Sequence, residues 1–255
     1  MNKNALQICK ILQSSGHEAV IAGGAVRDMI MGLQPHDWDI ATSADPDTVA
    51  SILKKNKFIV KEVGKAFGVV LAKIKEDEFE IATFRTESDY LDGRRPSKVS
   101  FSTMEEDAQR RDLTINAIFF DPIKDQFIDF VNGREDIQKK IIRFVGEADE
   151  RINEDKLRML RAVRFAVKFG WSIESETFMA ISNHAPEINM ISPERIHQEL
   201  EKMFACKRPS LMIDLLVSTG LMKEILPEVD RLNGLRQDPR WHPEGALVRK
   251  IIYLD

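Results

Sequence analysis

The sequence predicts an α+β fold, with a mixed-sheet domain over residues 1–145 and an α-helical domain over residues 146–255. Three observations carry that expectation. In the first half, short runs of β-branched and apolar residues alternate with helical patterns. After about Asn132 the strand signals fade and helical spacing takes over, as in Glu154–Phe169, where Leu157, Leu160, Val163, Phe165 and Val167 interleave with arginines. Gly170 and Gly220 then stand where helices would stop.

The elements follow in order. Asn4–Gln13 has helical spacing, Ala19–Gly23 reads as an apolar strand ending in glycines, Ala25–Met31 as a helix and Asp37–Thr42 as a strand. A helix starts near Pro46, capped by Ser43 or Asp45. Phe58–Val63, Gly68–Ile74 and Phe79–Phe84 read as strands. Arg85–Thr103 is long and polar, contains Gly93 and Pro96, and reads as a loop that is either functional or disordered. Further helices are expected over Ser175–His184, Pro193–Phe204 and Pro209–Ser218.

The bulk numbers narrow the function. With 255 residues, 43% apolar and 31% charged, the chain can build a real core. No apolar run approaches the roughly 20 residues needed to span a bilayer, so no membrane partner is expected. The first residues, MNKNALQICKILQSSG, lack the pattern of a secretory signal. Cys9 and Cys206 suit buried thiols rather than a disulfide framework, and a cytoplasmic location is expected. The net charge of −4 argues against extensive duplex binding. Arginines are nevertheless concentrated in RTESDYLDGRRP, QRRD and KLRMLRAVRF, where they could serve a triphosphate and a 3′ end.

The chemistry centres on HDWDIAT. In an extended chain, Asp37 and Asp39 share one face, because side chains alternate with a period of two. Two such carboxylates can hold divalent metal. Upstream, Gly23 and Gly24 in GGAVRD let backbone approach a polyphosphate, with Arg27 following. A third carboxylate is expected from a neighbouring strand. Glu80 is the candidate, and Glu78 shares its parity. In QRRDLTINA, Arg110 and Arg111 suit phosphate, Asp112 a ribose hydroxyl and Asn116 the sugar. In EDKLRMLRAVRF, which opens on Glu154, the residues Asp155, Arg158, Arg161 and Arg164 follow at steps of three along one expected helix. Asp accepts and Arg donates, so the row could imitate the pairing edge of a base.

GGAVRD, HDWDIAT, RRDLTINA and EDKLRMLRAVRF, in this order, resemble the class II tRNA nucleotidyltransferase and bacterial poly(A) polymerase family. VGKAFGVVLAKI, FEIATFR and SPERIHQELEKM are similar to it as well. The resemblance implies a polymerase-β-type nucleotidyltransferase head followed by helical neck and body. It implies catalytic Mg2+ on Asp37 and Asp39, and phosphate contacts from Gly24 and Arg27. It implies ribose recognition by Arg111 and Asp112, base selection by Asp155 and Arg158, and support from Arg161 and Arg164. The implied reaction is addition of C and A from CTP and ATP to tRNA 3′ ends without a nucleic-acid template. The apparently intact loop at Thr86–Thr103 favours complete CCA or A addition over CC addition, and VGKAFGVV is less basic than expected of a poly(A) polymerase. The alternatives are poly(A) or A-only addition, and, because family members run longer, a truncated remnant that binds nucleotide or RNA without catalysis.

Overall fold

The computed structural model describes residues 1–61, 68–88, 98–233 and 240. Most of VGKAFGVV and the middle of the Arg85–Thr103 segment lie outside them. The chain separates into two compact units, Met1–Lys139 and a second unit starting at Lys140. Residues 140–145 therefore go with the helical unit. The cause is local: β10 (Ile141–Ile142) pairs in parallel with β11 (Ser172–Ile173).

In the first unit, strands β1 (Ala19–Ala22), β2 (Asp39–Thr42), β3 (Ile59–Lys61), β4 (Val69–Ile74), β5 (Asp77–Thr83), β8 (Ile118–Asp121) and β9 (Gln126–Asp129) form one sheet. Their order is β3-β4-β5-β2-β1-β8-β9. The sheet is mixed. β2 runs antiparallel to β1, with Ala22 opposite Asp39, and parallel to β5, with Ile40 beside Ile81, Ala41 beside Ala82 and Thr42 beside Thr83. Strand alternation then sorts the side chains. Ile21, Ile40 and Ile81 are buried, and helices α1 (Lys3–Ser14) and α3 (Pro46–Lys55) pack against the sheet. Asp45 caps α3, its carboxylate accepting from the amides of Asp47 and Thr48, with Pro46 in the first turn.

The opposite parity carries Val20, Ala22, Ala41, Phe84 and Phe119, which form a core with Met104 and Ala108 of α4 (Met104–Gln109). Phe84 and Phe119 meet edge to face at 6.2 Å. A capping box starts α4: Thr103 Oγ1 accepts from the Glu106 amide, and the Glu106 carboxylate accepts from the Thr103 amide. The polar Arg85–Thr103 segment is not all loop. Its ends pair antiparallel as β6 (Arg85–Ser88) and β7 (Lys98–Phe101), from Arg85 opposite Phe101 to Ser88 opposite Lys98. β6, Arg-Thr-Glu-Ser, carries no apolar residue, and Val99 and Phe101 of β7 are too short an alternation to reveal the ribbon in a polar stretch.

Helix α5 (Gly133–Lys139) lies against the 3-10 turn Thr114–Asn116. A methyl group on Gly133 would sit 2.2 Å from the Thr114 carbonyl oxygen, so only glycine permits this approach. Thr114 Oγ1 also donates to buried Asp136 at 2.7 Å.

In the second unit, the expected helix Glu154–Phe169 is broken. Helix α6 (Ala148–Glu154) ends, Asp155 is extended at φ −151° and ψ 109°, and α7 (Leu157–Phe169) begins afresh. The Asp155 carboxylate accepts from the Leu157 amide at 3.0 Å, the local competition with helix bonding for which aspartate is suited. Gly170 closes α7 in the left-handed conformation, φ 66°. Helices α8 (Ser175–His184), α9 (Pro193–Phe204), α10 (Ser210–Ser218), α11 (Leu221–Ile225) and α12 (Pro227–Asp230) follow, with α9 packed on α7.

Candidate active site

The acidic wall comes from two neighbouring parallel strands. Asp39 opens β2, and Glu80 stands one rung before Ile81 on β5, so the register brings the two side by side. Both residues are exposed, and both line a cleft of about 200 Å³ whose floor includes Ala22, Ala41 and Ala82. The small floor residues leave the space open. Glu78, the other candidate of the same parity, points its carboxylate to Lys61 at 3.5 Å and does not line the cleft. Asp37 lies before the strand rather than within it, and is exposed.

Electrostatics ties these carboxylates together. The protein packed around Asp39 pushes its carboxyl above the ordinary range; Glu80 adds to this, Arg111 opposes it, and Asp37 raises it further. Among the described residues, no three His, Cys, Asp or Glu groups converge as a metal cluster. The arrangement is a charged pair with a third acid beside it.

The basic wall rests on one buried carboxylate. Asp107, 1% exposed, accepts at Oδ1 from Arg110 Nε (2.9 Å) and Nη2 (2.7 Å). Its Oδ2 accepts from Arg111 Nε (3.2 Å) and Nη2 (2.9 Å). The Arg85 amide donates to Oδ1 at 3.3 Å. Burial pushes the Asp107 carboxyl up, but Arg111 and Arg110 outweigh it and hold the group below the usual range. Arg85, Arg110 and Arg111 all line the cleft.

A second network adjoins Arg111. Its Nη1 donates to the Asn116 carbonyl oxygen at 3.2 Å, and its guanidinium lies 4.9 Å from the centre of the Phe119 ring. Asn116 Oδ1 accepts from buried Arg27 at 2.6 Å, while Asn116 Nδ2 donates to Asp112 at 3.4 Å. Arg27 also pairs with Asp28. Gly23 (φ 67°) precedes α2 (Gly24–Ile30), and a methyl there would lie 3.3 Å from Arg111 Nη1. The Gly23 amide donates to the Ile118 carbonyl at 3.3 Å, so it serves the sheet rather than facing a phosphate.

In the second unit, the row at steps of three is only partly realised. Arg158, Arg161 and Arg164 lie on α7, but Asp155 is off the helix. Asp155 Oδ2 accepts from Arg195 at 2.7 Å, buried Arg158 pairs with Glu154, and Arg164 pairs with Glu199 while its guanidinium lies 4.2 Å from the Phe165 ring centre. Arg161 stands 6.0 Å from the same ring centre.

Residues 19–143 match the family described as "Poly A polymerase head domain", and residues 170–232 match "Probable RNA and SrmB- binding site of polymerase A". The CCA-adding enzyme of Geobacillus thermodenitrificans (strain NG80-2) is 42% identical over 248 residues, covering 97% of this chain and 58% of that protein. The chain belongs to the tRNA nucleotidyltransferase and poly(A) polymerase family. The CCA-adding enzyme of Bacillus subtilis (strain 168), another member, is 41% identical over 222 residues, 87% of this chain and 55% of that one. Among solved structures of the family, the Bacillus stearothermophilus CCA-adding enzyme in complex with CTP superposes with a TM-score of 0.81 at 38% identity, covering 91% of this chain and 57% of that one. The fold is thus the polymerase-β-type nucleotidyltransferase head of this family with a helical region after it. The chain spans about half the length of the curated relatives it matches. Among the described residues, no helix is long and apolar enough to cross a membrane.

Sequence reading missed Asp107 and Arg195, and gave Arg85 only as part of the arginine-rich segment RTESDYLDGRRP. Asp107 had a signal: it lies three and four residues before Arg110 and Arg111, in a helix opened by T-x-x-E. The contacts of Arg85 and Arg195 join segments with no sequence relation.

Proposed function

We propose that this chain is a template-independent nucleotidyltransferase that adds C and A, from CTP and ATP, to tRNA 3′ ends in the cytoplasm. The observation that carries this reading is the cleft itself, where Asp39 and Glu80 line the same space as Arg85, Arg110 and Arg111, with Ala22, Ala41 and Ala82 among them. Acids and arginines lining one space suit a metal-bound triphosphate.

Asp37 and Asp39 would hold Mg2+, with Glu80 as the third carboxylate. The donor set fits: all ligands are oxygens, and burial first, with repulsion from Glu80 and Asp37 after it, raises Asp39, a cost that a divalent cation relieves. Mg2+ takes one or two carboxylates plus phosphate oxygens, so no preformed three-group cluster is needed. Bound there, Mg2+ supplies Lewis-acid stabilisation of the triphosphate and lowers the pKa of the attacking hydroxyl.

The rest belongs to the protein. Arg110 and Arg111 pair with phosphate oxygens, with Arg27 and Gly24 beside them. Asp112 accepts from a ribose hydroxyl, and Asn116, bonded to it, fixes its position. The 3′-hydroxyl of the RNA attacks the α-phosphorus, the bond to the β-phosphate oxygen breaks, and pyrophosphate leaves. In the second unit, Asp155 and Arg158 select the base by accepting and donating along its edge, Glu154 orients Arg158, and Arg161 and Arg164 support the nucleotide.

The test is a product gel with each nucleoside triphosphate, using a tRNA that lacks its CCA end and an unrelated RNA as primers. C followed by A on tRNA alone is expected. Asp37→Ala and Asp39→Ala should each lower incorporation by at least about a hundredfold, because metal stabilisation is worth several kcal/mol and about 1.4 kcal/mol is tenfold. Long A tracts on either primer would move the reading to poly(A) addition. Stabilisation by CTP without any product would make the chain a nucleotide-binding remnant.

A further inference from the structure

We infer that Asp107 is a positioning residue for triphosphate binding, acting through Arg110 and Arg111. The inference rests on the nucleotidyltransferase reading above.

Asp107 does not line the cleft. It lies behind it, 1% exposed, yet it fixes the backbone or side chain of all three arginine residues that do. Its carboxylate receives five hydrogen bonds: two from Arg110, two from Arg111 and one from the Arg85 amide. Each guanidinium presents its Nε–Nη2 edge to one oxygen. That leaves both rotations fixed and the two cations next to each other despite their repulsion. A carboxylate has about four lone-pair directions, so Asp107 is filled by these residues. Its charge also cancels part of theirs inside the protein.

Without that charge, the balance in the cleft changes. Asp39 and Glu80 line the same cleft and would compete for the released arginines. The cleft would then close by internal pairing, and a triphosphate would have to break those pairs first. Asn in this position keeps one acceptor oxygen but turns the other edge into a donor, so it can dock one arginine and repels the other. The loss expected is one charge-assisted contact, about tenfold or more in affinity.

The experiment is calorimetric titration of the whole chain with CTP, for the unaltered protein, Asp107→Asn, Arg111→Lys and the double variant. Asp107→Asn should weaken CTP binding about tenfold or more while raising KM more than it lowers kcat. Because Asp107 acts in part through Arg111, the loss in the double variant should be smaller than the sum of the two single losses. Asp107→Glu, which keeps the charge but shifts it outward, covers the case in which the Asn variant does not fold. It should fold and lie between the two in affinity. Wild-type affinity in either folded variant, or fully additive losses, overturns the inference. So does failure of both variants to fold, which would make Asp107 purely structural. If the unaltered protein does not bind CTP at all, the nucleotidyltransferase reading itself has failed, and that outcome is separate from these.

Discussion

At Asp39, the surrounding protein, Glu80 and Asp37 lift the carboxyl above its ordinary value of 3.8 against the pull of Arg111. The folded state therefore binds this proton more tightly than the unfolded chain. Stability from this group is complete below about pH 3.8 and is lost as the pH rises through the higher native value. At neutral pH the ionised Asp39 thus costs stability. Asp39→Asn should raise the melting temperature at pH 7, while incorporation disappears. The gain should vanish below about pH 3.8; an equal gain at all pH values would refute the account. Asp107 has the opposite sign. Its native value is lowered, so its contribution is present above 3.8 and fades as the pH falls through that lower value. The two aspartates behave differently because Asp107 has two cations of its own and Asp39 shares one with other acids. Gly23→Ala should cost about 1–3 kcal/mol, because its φ of 67° suits glycine. It should also weaken CTP binding, because the added methyl would press on Arg111. A Gly23→Ala variant with unchanged melting and unchanged CTP affinity would contradict both statements.

Among the elements, those with a strong local signal were legible in advance. The Asp45–Pro46 start of α3 follows from a capping side chain and a fixed φ, and the glycines at 170 and 220 mark real turns. The ribbon β6–β7 was not legible, because β6 carries no apolar residue and the two of β7, Val99 and Phe101, stand inside a long polar stretch. The break at Asp155 was not either. The arginine and leucine spacing continues across it, while one side-chain bond to the Leu157 amide interrupts the backbone. Tertiary approach was equally hidden. Nothing local says that Gly133 must touch the Thr114 carbonyl. That contact predicts a result: Gly133→Ala should destabilise by about 1–3 kcal/mol through overpacking. It should also loosen Asn116, and through it Arg27. A denaturation midpoint equal to that of the unaltered protein would show that α5 yields without cost.

For the whole molecule, the family was legible because its chemistry occurs as ordered short motifs, and ordered motifs survive where contacts cannot be read. Asp37, Asp39, Arg111 and Asp112 fall in such motifs; Asp107 and Arg195 act from outside the residues singled out. Two compact units predict that heating gives two calorimetric transitions, with Asp39→Asn shifting only one of them. A single two-state transition would mean that the units melt as one. One further consequence follows from β2 and β5 running in the same direction. Their pairing places Asp39 and Glu80 by counting residues, so the spacing of the two acids tolerates nearly any exchange of side chains around it. It does not tolerate a change in length. One residue inserted between Glu80 and Ile81, with Ile81–Thr83 keeping their register on β2, would move Glu80 one rung back and turn its carboxylate to the buried side, so such a chain could still assemble its sheet and yet have lost half of its acidic wall.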